Sequence, residues 1–221
     1  MGIATLNGKR RIARILAVSV LLASVVLLSG CLDIVQYVSG SASEIEVYFR
    51  LTLQKSVFEM ANALGGEQQD LDEIFEGFDL NEDDIFAELP PGVVANYEPV
   101  NTDFELGFEL RYSAPRAALD SLPDGEAVFV PRVSPWGISI PLGEGTGSGE
   151  SDEFADAFLG SAKYRLMISK RLVSRISEAR VLIGPESVSI GVTDLPDVWL
   201  LEFPLSLWLS STYAPTVEIL Y

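Results

Sequence analysis

The chain has 221 residues, with 15 Lys+Arg against 32 Asp+Glu, no His and one Cys. The absence of histidine excludes Ser-His-Asp and Cys-His catalysis and any imidazole metal site, and a single cysteine excludes an intrachain disulfide and a thiolate zinc cluster. A formal net charge of -17 lacks the basic footprint that DNA or RNA binding requires, so no nucleic-acid partner is expected.

Residues 1–30 contain no acid. Lys9, Arg10, Arg11 and Arg14 make a positive stretch, and residues 15–28 follow without a charge. That run suits the apolar region of a secretory signal and falls short of the roughly 20 residues of a membrane-spanning helix. It closes on Leu28-Ser29-Gly30-Cys31. These four residues resemble the lipobox of a bacterial lipoprotein. The resemblance implies a diacylglyceryl group on the Cys31 thiol, cleavage just before it, loss of residues 1–30 and acylation of the new amino group, palmitate being the usual kind of chain. Independently, a cysteine after small residues at the end of an apolar run sits at the membrane surface. Buried acyl methylenes contribute about 0.8 kcal/mol each, and two or more chains anchor stably. The residues alone also fit an uncleaved N-terminal span over 15–32, or a plain signal that leaves a free cysteine. Leu32, not Asp, follows Cys31, which in a diderm resembles an outer-membrane destination. The expected protein is a membrane-anchored lipoprotein on the extracytoplasmic side of the cell envelope.

The mature chain from residue 31 has 11 basic and 32 acidic residues, a net of -21, and is long enough for one domain with its own core. Residues 31–43 read as a lipidated tether ending in the small, polar Ser39-Gly40-Ser41-Ala42-Ser43. Ile45, Val47, Phe49, Leu51 and Leu53 then alternate with other residues and predict a half-buried strand. Residues 55–64 shift to helical spacing and stop at Gly65-Gly66. Residues 67–88 hold ten acids and no base, with Leu71, Ile74, Phe75 and Phe78 at helical spacing, and read as two short amphipathic helices. Residues 93–97 predict a strand. Phe104, Leu106, Phe108, Leu110 and Tyr112 form the clearest alternation in the chain. A short helix is expected at 115–122, and strands at 127–130 and 137–141. Residues 143–151 are Gly- and Ser-rich and read as a flexible loop. Strands are expected at 162–169, 179–183, 188–192, 198–209 with a bend at Pro204, and 216–221. The expected fold class is α+β: one domain over 44–221, mostly antiparallel sheet, with a block of short acidic helices after the first strand. The strand after the cysteine, the helical block, and Asn96-Tyr97 leading into an alternating strand together resemble the LppM-like lipoprotein domain. No function is carried over from that likeness.

Candidate chemistry is sparse. Asp79, Asn81, Asp83 and Asp84 crowd oxygen ligands, but a calcium loop needs Gly where Asp84 stands and Glu where Pro90 stands. No nucleophile elbow, phosphate loop or dinucleotide glycine pattern is present, and neither cofactor nor metal is expected. Residues 163–180 carry six bases and one acid. Lys163, Arg165, Lys170, Arg171 and Arg175 there are candidate contacts for anionic headgroups, or pair internally with the acidic helices. Trp199, Leu201, Phe203, Leu205 and Leu207 alternate and are candidates for the wall of an apolar ligand pocket, or for ordinary core. The expected function is a non-enzymatic binding or structural role in the envelope, towards a protein or lipid partner that the residues do not name. The alternatives are a carrier or sensor of a lipid-like ligand and, more remotely, a carboxylate-based hydrolase.

Overall fold

The computed structural model of the chain describes residues 32–41, 43–56, 93–119, 129–143, 162–209 and 211–221. In chain order these form β1 (Leu32–Gly40), β2 (Glu44–Gln54), β3 (Val94–Asn101), β4 (Glu105–Pro115), α1 (Arg116–Leu119), β5 (Arg132–Val133), β6 (Gly137–Pro141), β7 (Lys163–Ser169), β8 (Glu178–Ile183), β9 (Glu186–Ser189), β10 (Val192–Asp194), β11 (Val198–Pro204), α2 (Ser206–Leu209) and β12 (Thr216–Leu220). A seven-stranded sheet runs β10-β11-β7-β1-β2-β4-β3, and a five-stranded sheet runs β5-β6-β12-β8-β9. Every neighbouring pair is antiparallel except β1 with β7.

The fold is mostly β, which corrects the α+β expectation: the helices among the described residues are short, α1 and α2 having four residues each. The acidic helical block expected at 67–88 lies outside the described residues, as do Cys31, the signal segment 1–30 and most of the Gly/Ser loop. The expected helix at 55–64 is described only at Lys55 and Ser56, which are helical.

The largest correction concerns the tether. Leu32–Gly40 is β1, in the interior of the larger sheet, paired with β2 and β7. Its inward positions are Ile34, Gln36 and Val38, exposed by 1%, 0% and 0%. Gln36 interrupts the apolar series, and Val35 and Tyr37 stand on the opposite face, so no clean period of two shows in the sequence. Gly40 ends the strand at φ 131°, where a Cβ would meet the Glu44 carbonyl oxygen at 2.2 Å. That turn therefore needs glycine.

One apolar core joins the two sheets. Ile34, Val38, Phe49, Phe108, Tyr164 and Leu166 from the larger sheet share it with Ile138, Ile140, Val181, Val217 and Ile219 from the smaller. Each such side chain contributes about 1.5–3 kcal/mol by leaving water. Phe129 fills the space between the sheets: its ring centroid lies 4.6 Å from Phe49 and 5.2 Å from Trp208. It does so with a left-handed backbone, φ 62°, which is costly for a bulky residue. Its N–H donates to the Pro141 carbonyl at 2.7 Å.

Two further expectations shift. The strand expected over 188–192 divides: Glu186–Ser189 joins the smaller sheet and Val192–Asp194 the larger. The strand expected over 198–209 stops at Pro204, which has no N–H to continue a ladder, and Ser206–Leu209 turns into α2.

Candidate functional site

Hydrogen-bond register fixes what lies beside the start of β1. Leu32 pairs with Leu53 of β2, Leu53 with Leu106 of β4, and Leu106 with Asn101 of β3. One step inward, Asp33 pairs with Lys163 of β7, and Lys163 with Pro204 of β11. This end of the sheet therefore carries a row of half-buried leucines. The β3–β4 hairpin projects past it. Thr102 accepts from the Phe104 and Glu105 N–H groups at 3.2 and 3.0 Å, which closes the turn. The Lys55 N–H donates to the Phe104 carbonyl at 2.8 Å, and Lys55 Nζ donates to Asn101 Oδ1 at 2.8 Å. Phe104 is left 78% exposed, the most exposed of the large apolar side chains described. The alternation in sequence puts it on the buried face of a strand. In the structure the strand begins one residue later, at Glu105, and Phe104 belongs to the turn.

The basic segment does not gather in one place. Lys163 is exposed at the Leu32 end. Ser169 closes β7 at the other end, about 20 Å away at roughly 3.3 Å per residue, and Lys170, Arg171 and Arg175 follow it there. Arg165 lies mid-strand on the outer face, where it forms ion pairs with Asp33 of β1 and Glu202 of β11. Lys170 pairs with Asp194, and its ammonium sits 4.6 Å from the centre of the Trp199 ring. Arg180 bridges Glu218 and Glu178, and its hydrogen bond to Glu218 raises its pKa further. Arg171 and Arg175 are exposed. Internal pairing thus takes Arg165, Lys170 and Arg180, with acids on neighbouring strands as partners. The acidic helices proposed as those partners lie outside the described residues.

The apolar series also divides. Leu201, Phe203 and Leu205 are at most 2% exposed. Phe203 stacks on Tyr164 with centroids 5.0 Å apart, so these residues are part of the core. Trp199 is half-buried and donates its Nε1–H to the Val173 carbonyl at 2.9 Å. Leu207 is half-buried on α2, off the strand that carries Trp199, Leu201 and Phe203, with Leu205 in the turn between them.

Two features escaped sequence reasoning. The first is a polar cluster inside the core. Gln36 Nε2 donates to the Phe129 carbonyl at 2.7 Å, and the Tyr164 hydroxyl donates to Gln36 Oε1. Tyr112 is also buried, and its hydroxyl has no hydrogen-bond partner among the described residues. Burial pushes both phenols up, well above the ordinary tyrosine range. The second is an open cleft of about 730 Å³ on the smaller sheet, away from the Leu32 end. Arg116, Arg132, Trp136, Ser139 and Glu218 line it. Trp136 stands 77% exposed at the β5–β6 turn, and Arg116 Nε donates to the Val133 carbonyl at 2.8 Å. Arg116 and Arg132 are far apart in sequence and follow no period, so only the fold brings them together. The candidate cation ligands Asp79, Asn81, Asp83 and Asp84 lie outside the described residues.

No protein-family model matches the chain, and searches of curated proteins and of solved structures likewise found no match.

Proposed function

We propose that this protein is a lipid-anchored, non-enzymatic binding domain of a bacterial cell envelope, attached through Cys31 on the extracytoplasmic side. The observation that carries this is the sequence Leu28-Ser29-Gly30-Cys31 at the end of an uncharged run, with β1 starting at the next residue, Leu32. Lipidation at Cys31 leaves no flexible spacer, so the sandwich stands directly on the bilayer with its Leu32 end down. Trp136, Arg116 and the exposed Arg171 and Arg175 then face away from the membrane and are available to a partner. Of the five candidate headgroup contacts, only Lys163 stands at that end. Lys170, Arg171 and Arg175 lie about 20 Å further along the strand direction, beyond the roughly 8–10 Å over which surface charge is felt. A binding role is favoured over hydrolysis because five carboxylates of the described strands are engaged by arginine: Asp33 and Glu202 by Arg165, Glu105 and Glu109 by Arg50, Glu218 by Arg180. In a diderm, Leu32 after the cysteine favours the outer membrane.

Cys31→Ser tests the proposal. The substitution is expected to abolish metabolic acyl labelling, leave the uncleaved precursor and release the protein from washed membranes. Labelling that survives the substitution would refute the anchor.

A further inference from the structure

Beyond the anchor itself, we infer that the Leu32 end of the larger sheet is a membrane seat, in which the Phe104 side chain inserts into the bilayer surface beside the lipidated residue. The inference rests on the proposed lipidation of Cys31 and deepens it. The bilayer is the chosen occupant because the chain leaves β1 toward Cys31 at this end. Leu32, Leu53 and Leu106 are in register there, and β4 lies two strand spacings from β1, about 10 Å. Phe104 precedes Leu106 by two residues, on the side from which β1 enters, and is 78% exposed. A ring at that place lies within the 5–10 Å depth that interfacial side chains reach. A turn on a soluble surface gains nothing from presenting a phenylalanine to water. Beside two or more acyl chains, the same residue removes apolar surface from water as soon as the anchor is inserted. The backbone supports an outward ring: the Phe104 carbonyl is held by the Lys55 N–H and its N–H by Thr102 Oγ1, so no backbone hydrogen bond is given up on insertion.

The charges at this end define the kind of seat. Lys163 is exposed, and Lys55 is engaged with Asn101. Asp103 is exposed next to Phe104, and Glu105 is paired with Arg50. Among these described residues three positive groups, Lys55, Lys163 and Arg50, stand against two negative ones, Asp103 and Glu105, and a net of one positive charge adds only about 1 kcal/mol of attraction to anionic headgroups. The seat is apolar, and it works equally on neutral and anionic membranes.

The test uses the full mature protein with Phe104→Cys. With Cys31 acylated, position 104 is the sole free thiol and accepts a spin label. The protein is reconstituted in phosphatidylcholine vesicles, and collision of the label with a water-soluble nickel chelate is measured. Trp136→Cys, labelled in the same way, reports the far end, and the mass of each protein reports the acyl chains. Several-fold loss of chelate access at position 104 but not at 136, unchanged when phosphatidylglycerol is added, is the expected result. A protein that carries acyl chains yet leaves position 104 as accessible as 136 overturns the seat and leaves the anchor intact. Shielding confined to anionic vesicles overturns its apolar basis. Shielding that grows with protein concentration in detergent, without vesicles, marks contact between copies and overturns the bilayer as occupant. A protein without acyl chains overturns anchor and seat together.

Discussion

β1 and β10 belong to the same sheet and live in opposite surroundings. β1 is hydrogen-bonded along both sides, and its inward residues Ile34, Gln36 and Val38 have almost no exposure. β10 has three residues, one neighbour and no buried position. The polar Gln36 is fully buried while the apolar Val192 is 38% exposed. Place in the sheet order, more than the polarity of the segment, decides burial here. The edges bear this out: β10 is short, and at the other edge β3 carries Pro99 and Glu98, both of which discourage pairing with a further strand.

Substitutions can break that comparison. The largest effect is expected from Ile34→Ala, which deletes a fully buried side chain between two neighbours and should cost about 2–5 kcal/mol. Val192→Ala, at the edge, should stay within about 0.5 kcal/mol. Urea midpoints at unchanged slope measure both, and equal shifts would refute the contrast between centre and edge. A smaller difference is expected between two buried phenols. Tyr164→Phe leaves Gln36 Oε1 without its donor and should cost about 1–3 kcal/mol, whereas Tyr112→Phe removes a hydroxyl with no described partner and should be near neutral or stabilising. Their pH dependence sharpens the point. Both phenols have folded pKa values raised by burial. The stability they contribute is intact below the unfolded value of about 10 and declines as pH rises above it. Tyr112→Phe should therefore make the alkaline decline shallower; an unchanged alkaline limb would mean that this phenol ionises alike in both states. A small effect is also expected at Arg165→Met. Its side chain is 40% exposed although it spans Asp33 and Glu202, so the cost should be about 0–1 kcal/mol. A cost near that of Ile34→Ala would show the ion-pair row to be structural.

Strands with an unbroken alternation were legible in the sequence. The alternations read as strands over 44–53 and 103–112 overlap β2 (Glu44–Gln54) and β4 (Glu105–Pro115), because apolar residues recur there at every second position, and Lys163–Ser169, Glu178–Ile183 and Thr216–Leu220 lie close to their expected bounds. The fold class was not legible. β1 hides its period behind Gln36, whose two partners, Phe129 and Tyr164, are 93 and 128 residues away. No local pattern announces that a glutamine will be satisfied at that distance. The exposure of Phe104 was equally hidden, because the strand begins one residue after it and the turn closed by Thr102 carries its side chain off the sheet. The basic segment was seen as one unit. The strand within it sends Lys163 to one end of the sheet and Lys170, Arg171 and Arg175 to the other, and a strand direction relative to a distant neighbour is not a sequence signal.

The parallel pairing of β1 with β7 also sets a schedule. Asp33 meets Lys163, so the two halves of that seam are made 130 residues apart. At roughly 5–20 residues per second of synthesis, the wait is roughly 7–26 s. Throughout it, β2, β4 and β3 can zip onto one side of β1 while the other side keeps a row of unpaired amides and carbonyls. That edge, and not either outer edge of the finished sheet, is the one left open to wrong pairing while the chain is being made.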